Sequence, residues 1–310
     1  MPIFGAMNWA CLSEMPVALI TGLHGFTSRY LADELRAAGY SIVGIGQEKS
    51  DHAQSPYFQC DLNDRQAMLD TVHGIAPDVV VHLAGIAFAA HGSADEIYRT
   101  NIVGTRNLLE ALASSPRLPR SVLLASSANI YGNATVSPIN EMTTPAPAND
   151  YAVSKLAMEY MARLWSDKLP ITIVRPFNYT GVGQSLLFLL PKIVDHFKRR
   201  APVIELGNLN VIRDFSDVRM VVRCYRLLIE SAQRGEAFNI CSGVGHSLQE
   251  VITIMRELSG HDLDVVVNPA FVRSNEVHKL IGSRAKLDAA IGRVDSIPLR
   301  ATLQWMLEAD

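Results

Sequence analysis

The amino-acid sequence predicts an α/β fold, a doubly wound parallel sheet followed by a smaller C-terminal α/β domain. Three observations support this. Short runs rich in valine and isoleucine recur through the first half of the chain, amphipathic stretches separate them, and a glycine-rich turn follows the first run. Such runs are typical of strands buried on both faces of a sheet, because helices cover both sides. The arrangement is of the Rossmann type.

The first half of the chain contains six predicted strands with helical patterns between them. The helical patterns end near Ala38, span about 63–74 and 95–114, and continue from Tyr151 to about Trp165. The strands are predicted at residues 17–21, 41–45, 57–61, 78–85, 121–127 and 171–176. Because such sheets bind ligands at the carboxyl ends of their strands, we look for chemistry in the residues that follow each strand.

The pattern loosens after residue 176, which divides a dinucleotide-binding domain, residues 17–176, from a substrate domain, residues 177–310. Segments around 209–241 are expected to return to the first sheet. A serine cap at Ser216 predicts a helix over 216–232, a strand is predicted at 238–241, and Gly260 ends a further helix. Residues 1–16 are expected to be a short extension rather than a signal peptide, since no long apolar run follows a charged start.

The composition excludes several classes of protein. Of the 310 residues 48% are hydrophobic and 19% charged, so a sizeable core is expected, and the net charge of −3 predicts no surface for nucleic acid or an anionic membrane. The apolar run 186–190 is too short to span a bilayer. Four cysteines without a C-x-x-C and nine histidines without a metal-binding spacing predict a cytoplasmic protein with no metal.

The turn after the first strand, TGLHGFTSRYL, predicts a dinucleotide site. Gly22 and Gly25 allow a tight turn and a close approach of the backbone to a pyrophosphate, towards which the helix starting near Phe26 points its N-terminus. Ser28 takes the third small position. Such a turn can be purely structural, but its position between a strand and a helix favours nucleotide binding.

Tyr151 and Lys155 lie four residues apart in YAVSK and would share one face of a helix. By itself this spacing is more often structural than catalytic. Seven motifs in a fixed order change that interpretation: TGLHGF, Asp61-Leu62, HLAG, TNIVGTRNLLEA, SSANIYG, YAVSK and RPFNYTGVGQ. Together they resemble the extended short-chain dehydrogenase/reductase superfamily, in its nucleotide-sugar branch.

The resemblance implies a catalytic set of Ser127, Tyr151 and Lys155. Tyr151 would be the general acid/base, and Lys155 would bond the nicotinamide ribose and lower the pKa of the phenol from its usual value near 10. Ser127 would orient the substrate carbonyl and stabilise charge on its oxygen. For Ser127 a simple capping role at the end of its strand is the alternative.

The resemblance also implies a set of cofactor contacts. They are Gly22, His24, Gly25, Phe26, Thr27, Arg29, Asp61, Leu62, Leu83, Ala84, Gly85, Asn101, Tyr151 and Lys155. Asp61 would hold adenine or cap the following helix, roles that are compatible. Asn101 is expected to tie a helix to a strand, and His82 to be a packed side chain.

NADP(H) is favoured over NAD(H). Selection of NAD usually needs a carboxylate after the second strand, where SIVGIGQEK has Gly46 and Gln47. A 2′-phosphate would not be repelled there, and Arg29 or Lys49 could reach it, although Arg29 could equally be a solvated helix residue.

The residues after the catalytic serine favour one reaction. A 4,6-dehydratase would carry a carboxylate where this chain has Ala128 and Asn129, so dehydration is disfavoured. Segments of the second half, GNLNVIRDFSDVR, FNICSG and NEVHKLIGSRAKL, resemble those of GDP-4-keto-6-deoxy-D-mannose reductases. That likeness implies substrate contacts at Ser127, Asn129, Asn178, Arg213 and Arg273, with the arginines on the diphosphate. Each arginine could instead form a surface ion pair.

Three functions therefore follow from the sequence. The first is an NAD(P)H-dependent reductase of a nucleotide-linked 4-keto-6-deoxyhexose, forming GDP-rhamnose or a 6-deoxytalose derivative for a surface polysaccharide. The alternatives are a nucleotide-sugar 4-epimerase with tightly held NAD and a non-catalytic dinucleotide sensor. The resemblance also implies a homodimer through a four-helix bundle of the 95–114 and YAVSK helices, with Leu156, Met158 and Met161 as apolar positions.

Overall fold

The computed structural model describes residues 15–49, 55–86, 93–231, 233–271 and 277–309. The strands, numbered along the chain, are β1 (Val17–Thr21), β2 (Ser41–Gly46), β3 (Tyr57–Gln59), β4 (Val79–His82), β5 (Ser121–Ala125), β6 (Ile171–Pro176), β7 (Asn178–Thr180), β8 (Val203–Leu206), β9 (Ile212–Asp217), β10 (Ala237–Ile240), β11 (Gly245–Ser247), β12 (Asp264–Val267) and β13 (Lys279–Leu280). The helices are α1 (Phe26–Ala37), α2 (Arg65–Ile75), α3 (Ala94–Tyr98), α4 (Thr105–Ala113), α5 (Asp150–Arg163), α6 (Leu189–Lys198), α7 (Val218–Glu230), α8 (Leu248–Ser259), α9 (Ala285–Ile291) and α10 (Leu299–Glu308).

Seven strands form one sheet in the order β10-β6-β5-β4-β1-β2-β3, and every neighbouring pair is parallel. Thr21 at the end of β1 lies between Ile45 on one side and His82 on the other. The chain order reverses beside β1, which opens the crevice where such sheets bind ligands. The prediction of a Rossmann-type parallel sheet is confirmed.

Helices cover both faces of this sheet and bury its apolar side chains. On one face α1 and α7 pack together over the strands, with Leu31, Leu35, Val221 and Leu228 fully buried. On the other face lie α2, α4 and α5, and their buried residues belong to a second apolar cluster. The two layers hold the strand ends rigidly at the crevice.

The C-terminal part forms a smaller layer around β9. This strand pairs antiparallel with β11 and parallel with both β7 and β13, while β8 and β12 make a separate parallel pair. Helices α6, α8 and α10 surround a third apolar cluster that includes Phe197 and Leu303. Within the stretch 209–241, β10 joins the seven-stranded sheet at its edge, beside β6.

Several helix boundaries differ from those predicted. The single helix expected over 95–114 is broken by a π-helical segment, Arg99–Gly104, between α3 and α4. Asp64, rather than Asp61, caps α2, and its side chain accepts a hydrogen bond from the amide of Ala67 at 3.0 Å. Asp217 caps α7, because Ser216 belongs to β9. Gly260 ends α8 at φ +60°, as predicted.

The apolar positions named for a dimer interface face largely inwards. Met158 is fully buried on the sheet side of α5, and Leu156 and Met161 pack partly against apolar clusters of their own chain. The exposed apolar residues of this helix are instead Val153 and Tyr160, with Leu164 just beyond its end. No helix within the described ranges is long and apolar enough to cross a membrane.

Candidate active site

The glycine-rich turn brings β1 against the end of β4. Gly22 has φ +72°, and a Cβ atom there would lie 3.0 Å from the Cα of Ala84. A side chain is therefore excluded both by conformation and by space. The amide of Gly22 donates to the carbonyl of Ile45 at 2.6 Å, and that of Gly25 to Gly22 at 2.9 Å. Helix α1 begins immediately afterwards, with its free amides at the turn.

A cavity of about 410 Å³ opens at the carboxyl ends of β1, β2 and β4. Predicted cofactor residues that line it are Gly22, His24, Gly25, Asp61, Leu62, Leu83, Ala84 and Gly85. The glycine cradle, the start of α1 and this cavity together fit a dinucleotide. Asp61 reaches the cavity while its carboxylate accepts from the amide of Asn63 at 2.8 Å. No group of three or more acidic, histidine or cysteine residues in the described part of the chain could hold a metal.

Two lining residues that the sequence did not single out are Glu48, just after β2, and Tyr57, at the start of β3. They lie near Gln47, and the ring of His24 lies 4.4 Å from that of Tyr57. A Cβ atom at Gly46 would lie 2.5 Å from the Tyr57 hydroxyl, so this glycine leaves room for the phenol. Strand pairing across β2 and β3, which sequence patterns do not give, brings these residues together.

Two predicted cofactor residues, Arg29 and Thr27, point towards the loop after β7. The Arg29 guanidinium donates to the carbonyl of Gly183 at 3.0 Å, and the Thr27 hydroxyl is 2.8 Å from that of Tyr179. To contact a 2′-phosphate near Gln47, Arg29 would have to leave this carbonyl. Phe26 stacks on Tyr179 at 6.3 Å between ring centroids. Lys49 is exposed.

Tyr151 and Ser127 are in contact with each other. Tyr151 occupies the first turn of α5, and its side chain is hydrogen-bonded to that of Ser127. Ser127 follows β5, starts the 3₁₀ turn Ala128–Tyr131, and accepts from the amide of Asn129 at 3.1 Å. Ser127 therefore caps this turn and contacts the tyrosine at the same time.

Burial shifts the pKa values of Tyr151 and Lys155 in opposite directions. Loss of solvent raises the pKa of Tyr151 to about 12, against the lowering effect of the Ser127 hydrogen bond. The Lys155 ammonium donates to the carbonyl of Ala125 at 2.8 Å, and a lowering of the phenol pKa by Lys155 together with an oxidised dinucleotide stays a prediction. Burial lowers the pKa of Lys155 to about 8, and the charge of Glu159 opposes that shift.

Asn101 joins the end of β4 to the catalytic helix. Its side-chain oxygen accepts from the amide of Ile86 at 2.9 Å, and its side-chain nitrogen donates to the carbonyl of Ile86 and to the Ser154 hydroxyl. Ser154 in turn donates to the carbonyl of Tyr151 at 2.8 Å. A Cβ atom at Gly85 would lie 2.8 Å from the Asn101 oxygen and 3.4 Å from the Lys155 nitrogen. Asn101 and Lys155 thus both touch the strand end that lines the cavity.

The residues predicted to contact substrate are only partly brought together. The side-chain nitrogen of Asn178, on β7, is buried without a hydrogen-bond partner among the described residues, so it can donate to a ligand. The Arg213 guanidinium, on β9, donates to the carbonyls of Ile212 and His278 at 3.1 and 3.3 Å. Asn129 is exposed beside Ser127. Arg273 lies outside the described residues.

Two acidic residues beside Arg213 have structural roles. The buried carboxylate of Asp214 accepts from the amides of Ser242, Gly243 and Gly282, which fixes two separate segments of the chain around it. Asp217 is paired with Arg219, and their nearest atoms are 2.7 Å apart.

A model of the NAD dependent epimerase/dehydratase family matches residues 18–241 of the chain. GDP-6-deoxy-D-talose 4-dehydrogenase from Aggregatibacter actinomycetemcomitans is 33% identical over 277 residues, which are 88% of this chain and 90% of that protein. GDP-6-deoxy-D-mannose reductase from Pseudomonas aeruginosa is 30% identical over 301 residues, which are 93% of this chain and 95% of the relative.

Solved structures are similar over almost the whole chain. The crystal structure of a proposed epimerase from Burkholderia cenocepacia J2315 has a TM-score of 0.90 and 52% identity, covering 94% of this chain and 97% of its own. RMD from Pseudomonas aeruginosa, solved in complex with NADPH, has a TM-score of 0.83 and 29% identity with the same coverage.

Proposed function

Because the chain belongs to the NAD-dependent epimerase/dehydratase family, we propose that it reduces a nucleotide-linked 4-keto-6-deoxyhexose, with a GDP-linked sugar as the first candidate. One observation carries this proposal. Ser127 and Tyr151 are hydrogen-bonded to each other, and the Lys155 ammonium lies against Gly85, which lines the cavity that fits a dinucleotide. Both relatives named above act, by their names, on GDP-6-deoxyhexoses, which supports the choice of sugar.

The chain's own residues suit proton delivery to the sugar. A reduced dinucleotide, when bound, supplies the hydride for the C4 carbonyl. The Ser127 and Tyr151 hydroxyls hydrogen-bond to each other and would both face the carbonyl oxygen, where they stabilise the developing negative charge. Tyr151 then gives its proton to that oxygen, so the ketone becomes an alcohol. Burial raises the pKa of Tyr151, so the phenol carries its proton at neutral pH before the transfer.

We propose NADP(H) in preference to NAD(H). Gly46 and Gln47 offer no carboxylate directly after β2, and the His24 imidazole lines the same end of the cavity. The NADPH complex of RMD supports this preference. Glu48 also lines this end, so its carboxylate has to turn towards solvent when a 2′-phosphate binds.

The family name and the neighbour from Burkholderia favour one second candidate, a nucleotide-sugar 4-epimerase. The same Ser127–Tyr151–Lys155 set could remove and return a proton at O4 while the dinucleotide stays bound. An epimerase retains its dinucleotide through purification, whereas a reductase exchanges it at every turnover.

We also propose a cytoplasmic homodimer. Cys60, Cys224 and Cys241 are free and buried, which suits a reducing compartment. The exposed apolar residues Tyr160 and Leu164 suit helix packing against a second copy.

Oxidation of NADPH, followed at 340 nm with GDP- and dTDP-linked 4-keto-6-deoxyhexoses, tests the reductase. Turnover with one sugar is expected, and Tyr151→Phe should lower kcat about 10²- to 10⁴-fold because the proton donor is lost. Tyr160→Phe, on the exposed side of the same helix, is the matched control and should keep wild-type turnover. Absence of turnover together with firmly retained NAD in the purified protein would favour the epimerase.

A further inference from the structure

His82 occupies the last position of β4 and is buried between β1 and the start of α4. Its Nδ1 atom lies 2.7 Å from the Thr21 hydroxyl, and its Nε2 atom lies 2.9 Å from the Thr105 hydroxyl. Both ring nitrogens are therefore engaged in hydrogen bonds, one with each neighbouring element. A side chain that only filled space at this position would need neither of these two hydrogen bonds.

The directions of these hydrogen bonds can be worked out from their neighbours. The Thr105 hydroxyl donates its proton to the carbonyl of Asn101 at 2.8 Å, so it has to accept from Nε2–H. Burial lowers the pKa of His82 to about 3, which keeps the imidazole neutral with a single N–H. The Nδ1 atom therefore accepts from the Thr21 hydroxyl. Thr21 in turn accepts from the amide of Ala84 at 3.1 Å.

The resulting chain of hydrogen bonds reaches the cavity from two sides. We call residues 83–86, all of which line the cavity, the exit segment. At its start, the amide of Ala84 is held through Thr21. At its end, the backbone of Ile86 is held by the Asn101 side chain, and the backbone carbonyl of Asn101 accepts from the Thr105 hydroxyl. His82 joins the two arms of this chain: one runs through Thr21 to Ala84, and the other runs through Thr105 and Asn101 to Ile86.

We propose that His82, as the Nε2–H tautomer, is a positioning residue that fixes the exit segment for dinucleotide binding by aligning Thr21 and Thr105. The Thr105 arm continues through Asn101 and Ser154 to the backbone of Tyr151, so the catalytic helix is aligned by the same chain. This inference rests on the dinucleotide site of the proposed function.

Two substitutions separate the arms. In His82→Asn the side-chain oxygen sits near the position of Nδ1 and can accept from Thr21, but the donor to Thr105 is lost. In His82→Gln the amide nitrogen reaches the position of Nε2 and can donate to Thr105, but the acceptor for Thr21 is lost. His82→Leu removes both. Thr105→Val removes the second arm from its other end.

The dissociation constant of NADPH, measured by fluorescence titration, is the decisive quantity. His82→Leu is expected to weaken binding at least tenfold, and His82→Asn and His82→Gln about three- to fivefold each. Adding Thr105→Val should weaken binding less in His82→Asn, where the His82–Thr105 hydrogen bond is already lost, than in His82→Gln, where it is still present. The control Val80→Ala, on the same strand and also buried, should lower the melting temperature and leave the dissociation constant unchanged.

Wild-type protein with ¹⁵N-labelled histidine supplies a test that needs no variant to fold. The His82 signal, identified by its absence in a substituted protein or by its resistance to acid titration, should show the Nε2–H tautomer. A Nδ1–H tautomer, or NADPH binding by His82→Leu as tight as in the wild type, would overturn the inference. The inference would also be overturned if adding Thr105→Val weakened NADPH binding by the same factor in His82→Asn and in His82→Gln.

Failure of this inference can be told from failure of the proposed function. Wild-type protein that binds NADPH but reduces no keto sugar would contradict only the proposed reaction. Wild-type protein that binds neither NADPH nor NADH would contradict both proposals, because there would be no dinucleotide site for His82 to position.

Discussion

Tyr151 and Lys155 show how much of a residue's chemistry is set by its surroundings. Their spacing is visible in the sequence, and the family resemblance implies their roles. The sequence could not give their burial, which raises the pKa of the phenol and lowers that of the ammonium. The sequence also could not predict that the Lys155 ammonium donates a hydrogen bond to the carbonyl of Ala125, the last residue of β5. The pKa values at this site are properties of the folded chain.

Lys155 should set the alkaline limit of the reaction. Its pKa of about 8 means that the ammonium is present below that pH and is lost as the pH rises through it, whereas Tyr151 keeps its proton up to about pH 12. We therefore expect kcat/KM for keto-sugar reduction to fall above about pH 8. The pH profile of steady-state NADPH oxidation measures this.

Lys155→Arg is the informative comparison, because a guanidinium stays charged throughout that range. The rate of this variant is expected to be lower at every pH, because the planar guanidinium group differs in shape from an ammonium group. The pH above which kcat/KM decreases should nevertheless be higher than in the wild type. An alkaline limb at the same pH in both proteins would show that Lys155 is not the group responsible.

At the scale of the element, α5 performs two tasks with two faces. Its inner face carries Lys155 and packs Met158 against the sheet, while Glu159 pairs with the buried Arg175 of β6 at 2.6 Å. Its outer face leaves Val153 and Tyr160 exposed, and Leu164, one residue past the helix, is 81% exposed. An exposed apolar row beside a rigid buried face is typical of a helix that packs against another subunit.

Charges on this outer face should dissociate the proposed dimer. We expect the wild type to elute with about twice the 34.0 kDa mass of one chain, and Tyr160→Asp combined with Leu164→Asp to elute as a monomer. Burying two carboxylates in an apolar interface is strongly unfavourable. Light scattering coupled to size-exclusion chromatography gives the masses.

Met142→Asp is the matched control, because Met142 is 90% exposed and lies outside α5. It should leave the mass unchanged. A wild type that is already monomeric at micromolar concentration would remove the basis for the proposed interface.

The elements also show where sequence patterns stop being informative. Local signals placed the seven strands of the main sheet and the end of α8 at Gly260 correctly, but they missed the short strands of the C-terminal part. The π-helical segment was missed, since it depends on the side chain of Asn101 bonding Ile86 and on Gly104 approaching Leu62, both distant in sequence. Ser216 was misassigned as a cap because it pairs within β9 opposite Tyr179.

At the scale of the whole molecule, the sequence predicted the fold class but not the order of the strands in the sheet. Alternating apolar runs and helical patterns predicted the parallel sheet, which the structure and the family comparisons confirm. Local motifs pointed to the glycines, Ser127, Tyr151 and Lys155, whose catalytic and binding roles stay a prediction. They did not point to Tyr57 and Glu48, because the place of these residues in the cavity depends on how β2 and β3 pair. The division of the chain at residue 176 stays a prediction.

A shortened chain ending at Pro176 should not fold. It lacks β10 and α7, and α7 alone buries six aliphatic or methionine side chains in the main core: Val218, Met220, Val221, Val222, Leu228 and Ile229. At about 1.5–3 kcal/mol each, their loss removes roughly 9–18 kcal/mol, as much as the whole stability of a typical domain. Circular dichroism should show no cooperative thermal transition. Cooperative unfolding together with NADPH binding would show that residues 17–176 are independent.

The place of β10 beside β6 also has a consequence for synthesis of the chain. Residues 177–236 separate these two neighbouring strands, a length that a ribosome translates in roughly 3–12 s at 5–20 residues per second. Until β10 emerges, β6 is the outer strand of the nascent sheet, and one row of its backbone groups has no strand to pair with. The newborn chain therefore passes through an aggregation-prone state of several seconds, during which β6 is open to chaperones and to other nascent chains.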